Sequence, residues 1–240
     1  MFFGKSRIAA SAVVHLTMAT LAILVAPAIA EAGAIVIDEV GVNQIFSQES
    51  FGDTPISIRF NSPQIIVAPE FLVIDSVEEL QALYSLVPNP APTVVAFFVD
   101  IIWECATVEV AEEGRYFGCA QKPGNFHVLN STVAALEPSK LISHELGHNF
   151  GLEHIPLGLM TTHLGFGGTE LFEDQVADIL KSPLVQTDAN GQRFIEVTPI
   201  AIVGTPEPST LLLLSGGLGA LLIIKKRNRP GPDLDKVSRS

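Results

Sequence analysis

The stretch HELGHNFGLEH, residues 144–154, carries three histidines and a glutamate at spacings that suit a single metal site. On an α-helix, His144 and His148 project from one face, because residues four apart are only about 40° apart around the axis. His154 comes six residues after His148, and a continuing helix would carry it about 240° away. Glycine enters a left-handed conformation without steric penalty. We therefore expect the helix to stop near Phe150 and a turn at Gly151 to bring His154 back as the third ligand.

Three protein ligands leave one tetrahedral position for water, which is typical of catalytic rather than structural zinc. Glu145 follows the first ligand and is offset from it by about 100° on the helix, so it can contact that water without coordinating the ion. Zinc lowers the pKa of bound water to about 7, and a carboxylate can then accept its proton as the water attacks a polarised carbonyl. The pattern predicts Zn²⁺ as cofactor and Glu145 as general base. The alternative, ordinary core histidines on an amphipathic helix, fits the spacing poorly.

The extended motif HExxHxxGxxH resembles the zinc signature of the metzincin metalloproteases, whose second hallmark is a methionine turn beneath the metal. Met160 follows His154 closely and fits that role. The resemblance implies an α+β zincin fold, with a twisted mixed β-sheet, an active-site helix, the methionine turn and a C-terminal backing helix. Some metzincins carry a tyrosine two residues after the methionine. Here that position is Thr162, and the neighbouring His163 is the candidate transition-state donor.

Both ends of the chain are predicted to be targeting signals. Residues 1–30 combine Lys5 and Arg7 with an apolar run and a small-residue ending, which is typical of a signal peptide; an uncleaved membrane anchor is the alternative. Residues 205–229 contain Pro-Glu-Pro, an apolar run and a basic cluster, followed by a tail at 230–240. This layout resembles the PEP-CTERM sorting signal, which implies processing by an exosortase-like membrane enzyme. A simple C-terminal anchor is the alternative, although the run is short for one.

The region between the signals is strongly acidic. Residues 31–205 hold six basic and 23 acidic side chains, a net charge of −17. Such a surface repels nucleic acid phosphates and anionic membranes, so no nucleic acid partner is expected. Solubility explains the charge better than calcium binding, because the acids form no DxDxDG-type loop. Cys105 and Cys119 are expected to form a disulfide in an exported protein, and a metal role for them is the alternative.

Residue patterns predict the remaining elements within a domain at 31–185. Strands are expected at 34–42, 56–60 and 93–102, the last covered on both faces, and another at 126–130. Ser76 and Glu79 form a capping box for a helix, Pro138 suits the first turn of the metal helix, and Thr169 is expected to cap a last helix. Residues 186–204 are expected to form a terminal hairpin or linker, with a turn at 190–191.

These features together predict an exported zinc endopeptidase that acts on protein or peptide substrates. The protein would be displayed at the cell surface or released after processing, with a transient membrane anchor at its C-terminal helix. One alternative is a surface or matrix protein that keeps the zinc site and cleaves little. Another is a metal hydrolase acting on something other than a peptide.

Overall fold

The structure is a computed structural model that describes residues 35–88, 92–105, 115–162 and 167–205. These residues belong to one compact unit, Ala30–Thr205. The predicted signal peptide, the sorting signal beyond Thr205, the tail and His163 lie outside the described residues. Among the helices that are described, none combines the length and the apolar character needed to cross a bilayer.

A mixed sheet forms the centre of this unit, and within the described ranges seven strands join it. From one edge the order is β1, β9, β4, β7 and β6, while β2 and β8 also pair with β9. Strands β6 and β8 are antiparallel to their neighbours and the other pairings are parallel. Two short strands, β3 and β5, form a separate parallel pair. The strands are β1 (Ile56–Phe60), β2 (Gln64–Val67), β3 (Val73–Ile74), β4 (Val94–Val99), β5 (Ile101–Ile102), β6 (Gly118–Ala120), β7 (Phe126–Asn130), β8 (Gln186–Thr187) and β9 (Arg193–Val203).

Helices cover the sheet, and the two together confirm a mixed α+β protein. They are α1 (Glu39–Ile45), α2 (Val77–Ser85), α3 (Ser131–Leu136), α4 (Pro138–Asn149) and α5 (Glu173–Ile179). The predicted cap of α2 is present, since the Ser76 hydroxyl accepts from the Glu79 N–H. The Glu79 carboxylate accepts from the N–H of Asp75, one residue earlier than a standard capping box requires.

The core lies on both faces of the sheet, as expected from the apolar run at 93–102. All six residues of β4 are buried. Phe98 packs with the cluster that includes Leu141, Ile142 and Leu146 of α4. Phe97 points to the opposite face, in a second cluster with Leu83 of α2. Helix α4 is thus fixed to the sheet by its own apolar side chains.

Two local predictions are wrong. Residues 39–45 form helix α1 instead of continuing a strand from 34, because the Asp38 side chain caps the helix at Gly41 and α1 packs against α4 and β1. Thr169 does not cap the last helix. Helix α5 begins after Phe172, whose N–H donates to the Gln175 side chain, while the Thr169 carbonyl accepts from Gln48.

Residues 186–204 contribute strands to the central sheet. They form a hairpin in which β8 pairs with β9 and Gly191 turns with a φ of 79°. The second strand, β9, then lies inside the sheet, between β4 on one side and β1 and β2 on the other. The chain from 186 to 203 is therefore part of the same unit as the metal helix.

The disulfide between Cys105 and Cys119 is confirmed. It attaches edge strand β6 to the segment that follows β5, across a sequence separation of 14 residues. A closed loop of that length stabilises the fold by about 3 kcal/mol in the entropic model. Strand β6 borders the candidate site, so the disulfide also fixes one wall of that site.

Candidate metal centre

Helix α4 ends where the sequence predicted. Pro138 occupies its first turn and Phe150 is its C-cap. Gly151 follows with a φ of 96°, a left-handed conformation that favours glycine. The N–H of Gly151 donates to the carbonyl of His148, and the N–H of Leu152 donates to that of Gly147. These are the two hydrogen bonds of a Schellman motif, and they reverse the chain so that His154 returns toward the helix.

The three histidines meet at their Nε2 atoms. His154 Nε2 lies 3.2 Å from His144 Nε2 and 3.0 Å from His148 Nε2. Nitrogens bound tetrahedrally to one zinc ion at about 2.0–2.1 Å stand about 3.3 Å apart. The three side chains form a group that can hold a metal ion.

Backbone carbonyls orient two of the three rings. His144 Nδ1 lies 2.7 Å from the carbonyl oxygen of Leu159, and His148 Nδ1 lies 2.8 Å from that of Leu152. Each Nδ1 must carry the hydrogen, since a carbonyl only accepts, and each Nε2 lone pair is then directed at the ion position. Burial, with repulsion from His148 as the second cause, lowers the pKa of His144 to about 3. His144 is therefore neutral at ordinary pH, the form in which a histidine ligates.

Met160 packs against the helix that carries His144 and His148. The Met160 side chain is fully buried. A Cβ built at Gly147 would overlap its Sδ atom, so the methionine contacts the helix directly at a glycine, where no side chain stands in its way. The Met160 carbonyl accepts from the N–H of Ile155, which follows His154. Gly158 turns the chain before it, with a φ of 74°.

The Glu145 side chain is buried against strand β6. It is 3% exposed, and burial raises its pKa to about 8. Within the described ranges its Oε2 atom has no hydrogen-bond partner. A Cβ built at Gly118 of β6 would overlap Oε1. An unpartnered buried carboxyl oxygen costs free energy, which a cation and a reacting water would recover.

Sequence reasoning missed two features of this region. Gly118 is one, although a glycine inside a strand can mark a close approach of another group. The other is the buried pair of His127 and Asn149, in which His127 Nδ1 lies 2.7 Å from Asn149 Oδ1. A lone histidine on a strand is usually an ordinary packed or surface residue, and no local pattern links β7 to the end of α4.

Burial of His127 makes the fold sensitive to acid. Burial lowers the pKa of His127 from 6.5 to about 4. Between those values the unfolded chain binds a proton there and the folded chain does not, so stability falls as the pH drops from about 6.5 to about 4. In metal-free protein, we expect His127→Asn to reduce the loss of unfolding free energy between pH 7 and pH 5 by about 2 kcal/mol. Urea unfolding of both proteins at both pH values measures this, and equal losses would contradict it.

The arrangement provides three nitrogen donors, two of them with fixed tautomers, and the helix that carries two of them also carries the buried carboxyl group of Glu145. Imidazole donors suit zinc and other first-row transition metals. The chain matches no family model, no curated protein and no solved structure, so any assignment of function rests on the site itself.

Proposed function

We propose that this protein is an exported zinc endopeptidase of metzincin type. One observation carries the proposal: the three Nε2 atoms converge while the neighbouring Glu145 keeps a buried carboxyl oxygen without a partner. A purely structural metal site has no need of such a carboxyl group. Three histidine ligands with one open position are typical of catalytic zinc.

Zinc, when bound, would lower the pKa of a coordinated water and polarise the peptide carbonyl. Glu145 accepts the proton of the attacking water at Oε2 as the new carbon–oxygen bond forms. It then donates that proton to the leaving nitrogen as the carbon–nitrogen bond breaks. Burial favours the protonated carboxyl that the second step needs, and the charge of a bound metal ion would favour the carboxylate that the first step needs.

Strand β6 offers a place for the substrate. It forms one edge of the sheet and pairs on its inner side with β7. An extended peptide added to this edge would pass Gly118 and the Glu145 carboxylate that packs against it. The methionine packed against α4 supports the comparison with metzincins.

The two terminal sequences support an extracellular location. Residues 1–30 direct export, and the PEP-CTERM-like segment at 205–229 would be processed by an exosortase-like enzyme, leaving the domain at the cell surface or outside the cell. The confirmed disulfide suits an oxidising compartment. The acidic domain is not expected to bind nucleic acid.

Metal removal tests the function directly. We expect the purified protein to contain one zinc ion and to cleave denatured casein, to lose cleavage with a chelator, and to recover it when Zn²⁺ is restored. Metal content by elemental analysis and cleavage by gel and mass spectrometry measure these outcomes. Zinc binding without cleavage of casein or of a diverse peptide library would contradict the protease and favour a surface or matrix protein that retains the metal.

A further inference from the structure

The connection between β6 and β7 is fastened to the end of the metal helix. The Asn149 amide donates to the carbonyl of Gln121 at 3.1 Å and to that of Phe126 at 2.9 Å. The N–H of Gly124 donates to the Asn149 carbonyl at 3.1 Å. Both ends and the middle of the connection are thus bonded to one residue, which directly follows the ligand His148.

His127 completes the hydrogen bonding of the Asn149 side chain. Because the amide nitrogen donates to two carbonyls, the oxygen must be the atom that faces His127, and His127 Nδ1 is the donor. Asn149 is 1% exposed and His127 is fully buried. A buried amide that loses a partner pays a desolvation penalty, so the pair strongly favours this one arrangement of the helix end.

A second contact, at the protein surface, joins the β6–β7 connection to the residues that follow the metal helix. Lys122 pairs with Glu153 at 2.5 Å, but the Glu153 side chain is 71% exposed. Exposed ion pairs contribute little to stability, because solvent screens the two charges. The hydrogen bonds of the buried pair therefore contribute more than this ion pair to holding the β6–β7 connection against the residues that lead to His154.

The position of His154 depends on contacts of this kind outside the helix. Helix geometry fixes His144 relative to His148, but His154 lies beyond the helix and its distance from them is set by the turn at 149–153. We propose that Asn149 and His127 are positioning residues for the metal. They hold the turn in the conformation that brings the His154 and His148 Nε2 atoms together, and so they raise metal affinity without touching the ion. This inference rests on the metal site of the proposed function.

The experiment compares four variants of the full-length protein. Asn149→Leu and His127→Leu remove the pair. His127→Asn keeps a donor near the position of Nδ1 and is the conservative rescue. Asn43→Leu is the matched control. The Asn43 side chain also bonds to backbone groups, donating to the carbonyls of Glu39 and Ile58 and accepting from the N–H of Ile58, but it lies far along the chain from the metal ligands. The readouts are the Zn²⁺ dissociation constant by chelator competition, the visible spectrum of the Co²⁺-loaded protein, and the unfolding midpoint of the metal-free protein.

We expect both positioning variants, Asn149→Leu and His127→Leu, to bind Zn²⁺ about tenfold more weakly, the lower end of what outer-shell substitutions cost, and to alter the Co²⁺ spectrum. His127→Asn should stay within about twofold of the unmodified protein. Asn43→Leu should lower the unfolding midpoint and leave metal affinity unchanged. This separates positioning from general destabilisation, which would move the midpoint alone.

The proposal is overturned if folded His127→Leu protein binds Zn²⁺ as tightly as the unmodified protein with the same Co²⁺ spectrum. It is also overturned if His127→Asn binds as weakly as His127→Leu. If Asn149→Leu does not fold, the comparison at position 127 decides, since those variants leave both carbonyl bonds of Asn149 in place. Failure of the unmodified protein to bind Zn²⁺ would overturn the proposed function as well, whereas tight binding by every variant overturns only the positioning role.

Discussion

Replacement of Glu145 by glutamine is expected to lower the rate of peptide cleavage about a hundredfold or more, while the protein still binds zinc. Glutamine has nearly the same shape, so packing against Gly118 is preserved, but its amide cannot accept and return a proton. Because Glu145 is not among the three converging nitrogen donors, metal content should stay the same. The measurement is kcat/KM on a fluorogenic peptide derived from a casein cleavage site, with zinc content determined on the same sample.

Glu137→Gln is the control for this substitution. Glu137 precedes α4, is exposed, and its side chain does not cap the helix. The same chemical change there should leave cleavage unaltered. If Glu145→Gln retained cleavage with full zinc occupancy, Glu145 would not be the general base, and the mechanism would need another proton acceptor.

The substitution Gly118→Ala is expected to reduce cleavage about a hundredfold, because a displacement of about 1 Å at a reacting group can cost that much. The added Cβ would overlap the end of the Glu145 side chain, its Oε1 and Cδ atoms in particular. That end can rotate away, so the fold should tolerate alanine, but the carboxyl would leave the position against β6 in which the proposed mechanism uses it. Zinc affinity and the unfolding midpoint should change little while kcat falls.

Gly204→Ala provides the matched control. A Cβ at Gly204 would make an ordinary contact with Leu72 Cδ1 at 3.5 Å. Cleavage by this variant should equal that of the unmodified protein. Full activity of Gly118→Ala would mean that the carboxyl position set by β6 is unimportant for the reaction, and would weaken the assignment of this strand as a wall of the active site.

Local signals predicted the metal helix well. Proline suits the first turn, histidines four apart share a face, and glycine permits the left-handed residue that ends the helix, so residues 138–151 fold as expected. The capped helix at 77–85 and the buried strand at 94–99 follow from equally local patterns. Each depends on residues within one or two turns of one another.

Predictions failed where distant contacts decide. The β-branched run before Val42 suggested a strand, but packing against α4 and the Asp38 cap favour a helix. The stretch 193–203 belongs to the predicted hairpin, but no local signal shows that its second strand joins β4 to β1 and β2. Parallel pairing brings together residues more than a hundred positions apart, and no periodicity within either strand reveals its neighbour.

The sequence by itself determined which residues can ligate a metal, because imidazole chemistry and the 3.6-residue helical repeat follow from residue type and spacing. Only the tertiary structure decided how they are held. The carbonyls of Leu152 and Leu159, Gly118 against Glu145, and His127 with Asn149 come from separate segments. Their hydrogen bonds and close contacts depend on how the sheet and helices pack, and that packing sets the position of His154 and the protonation of Glu145.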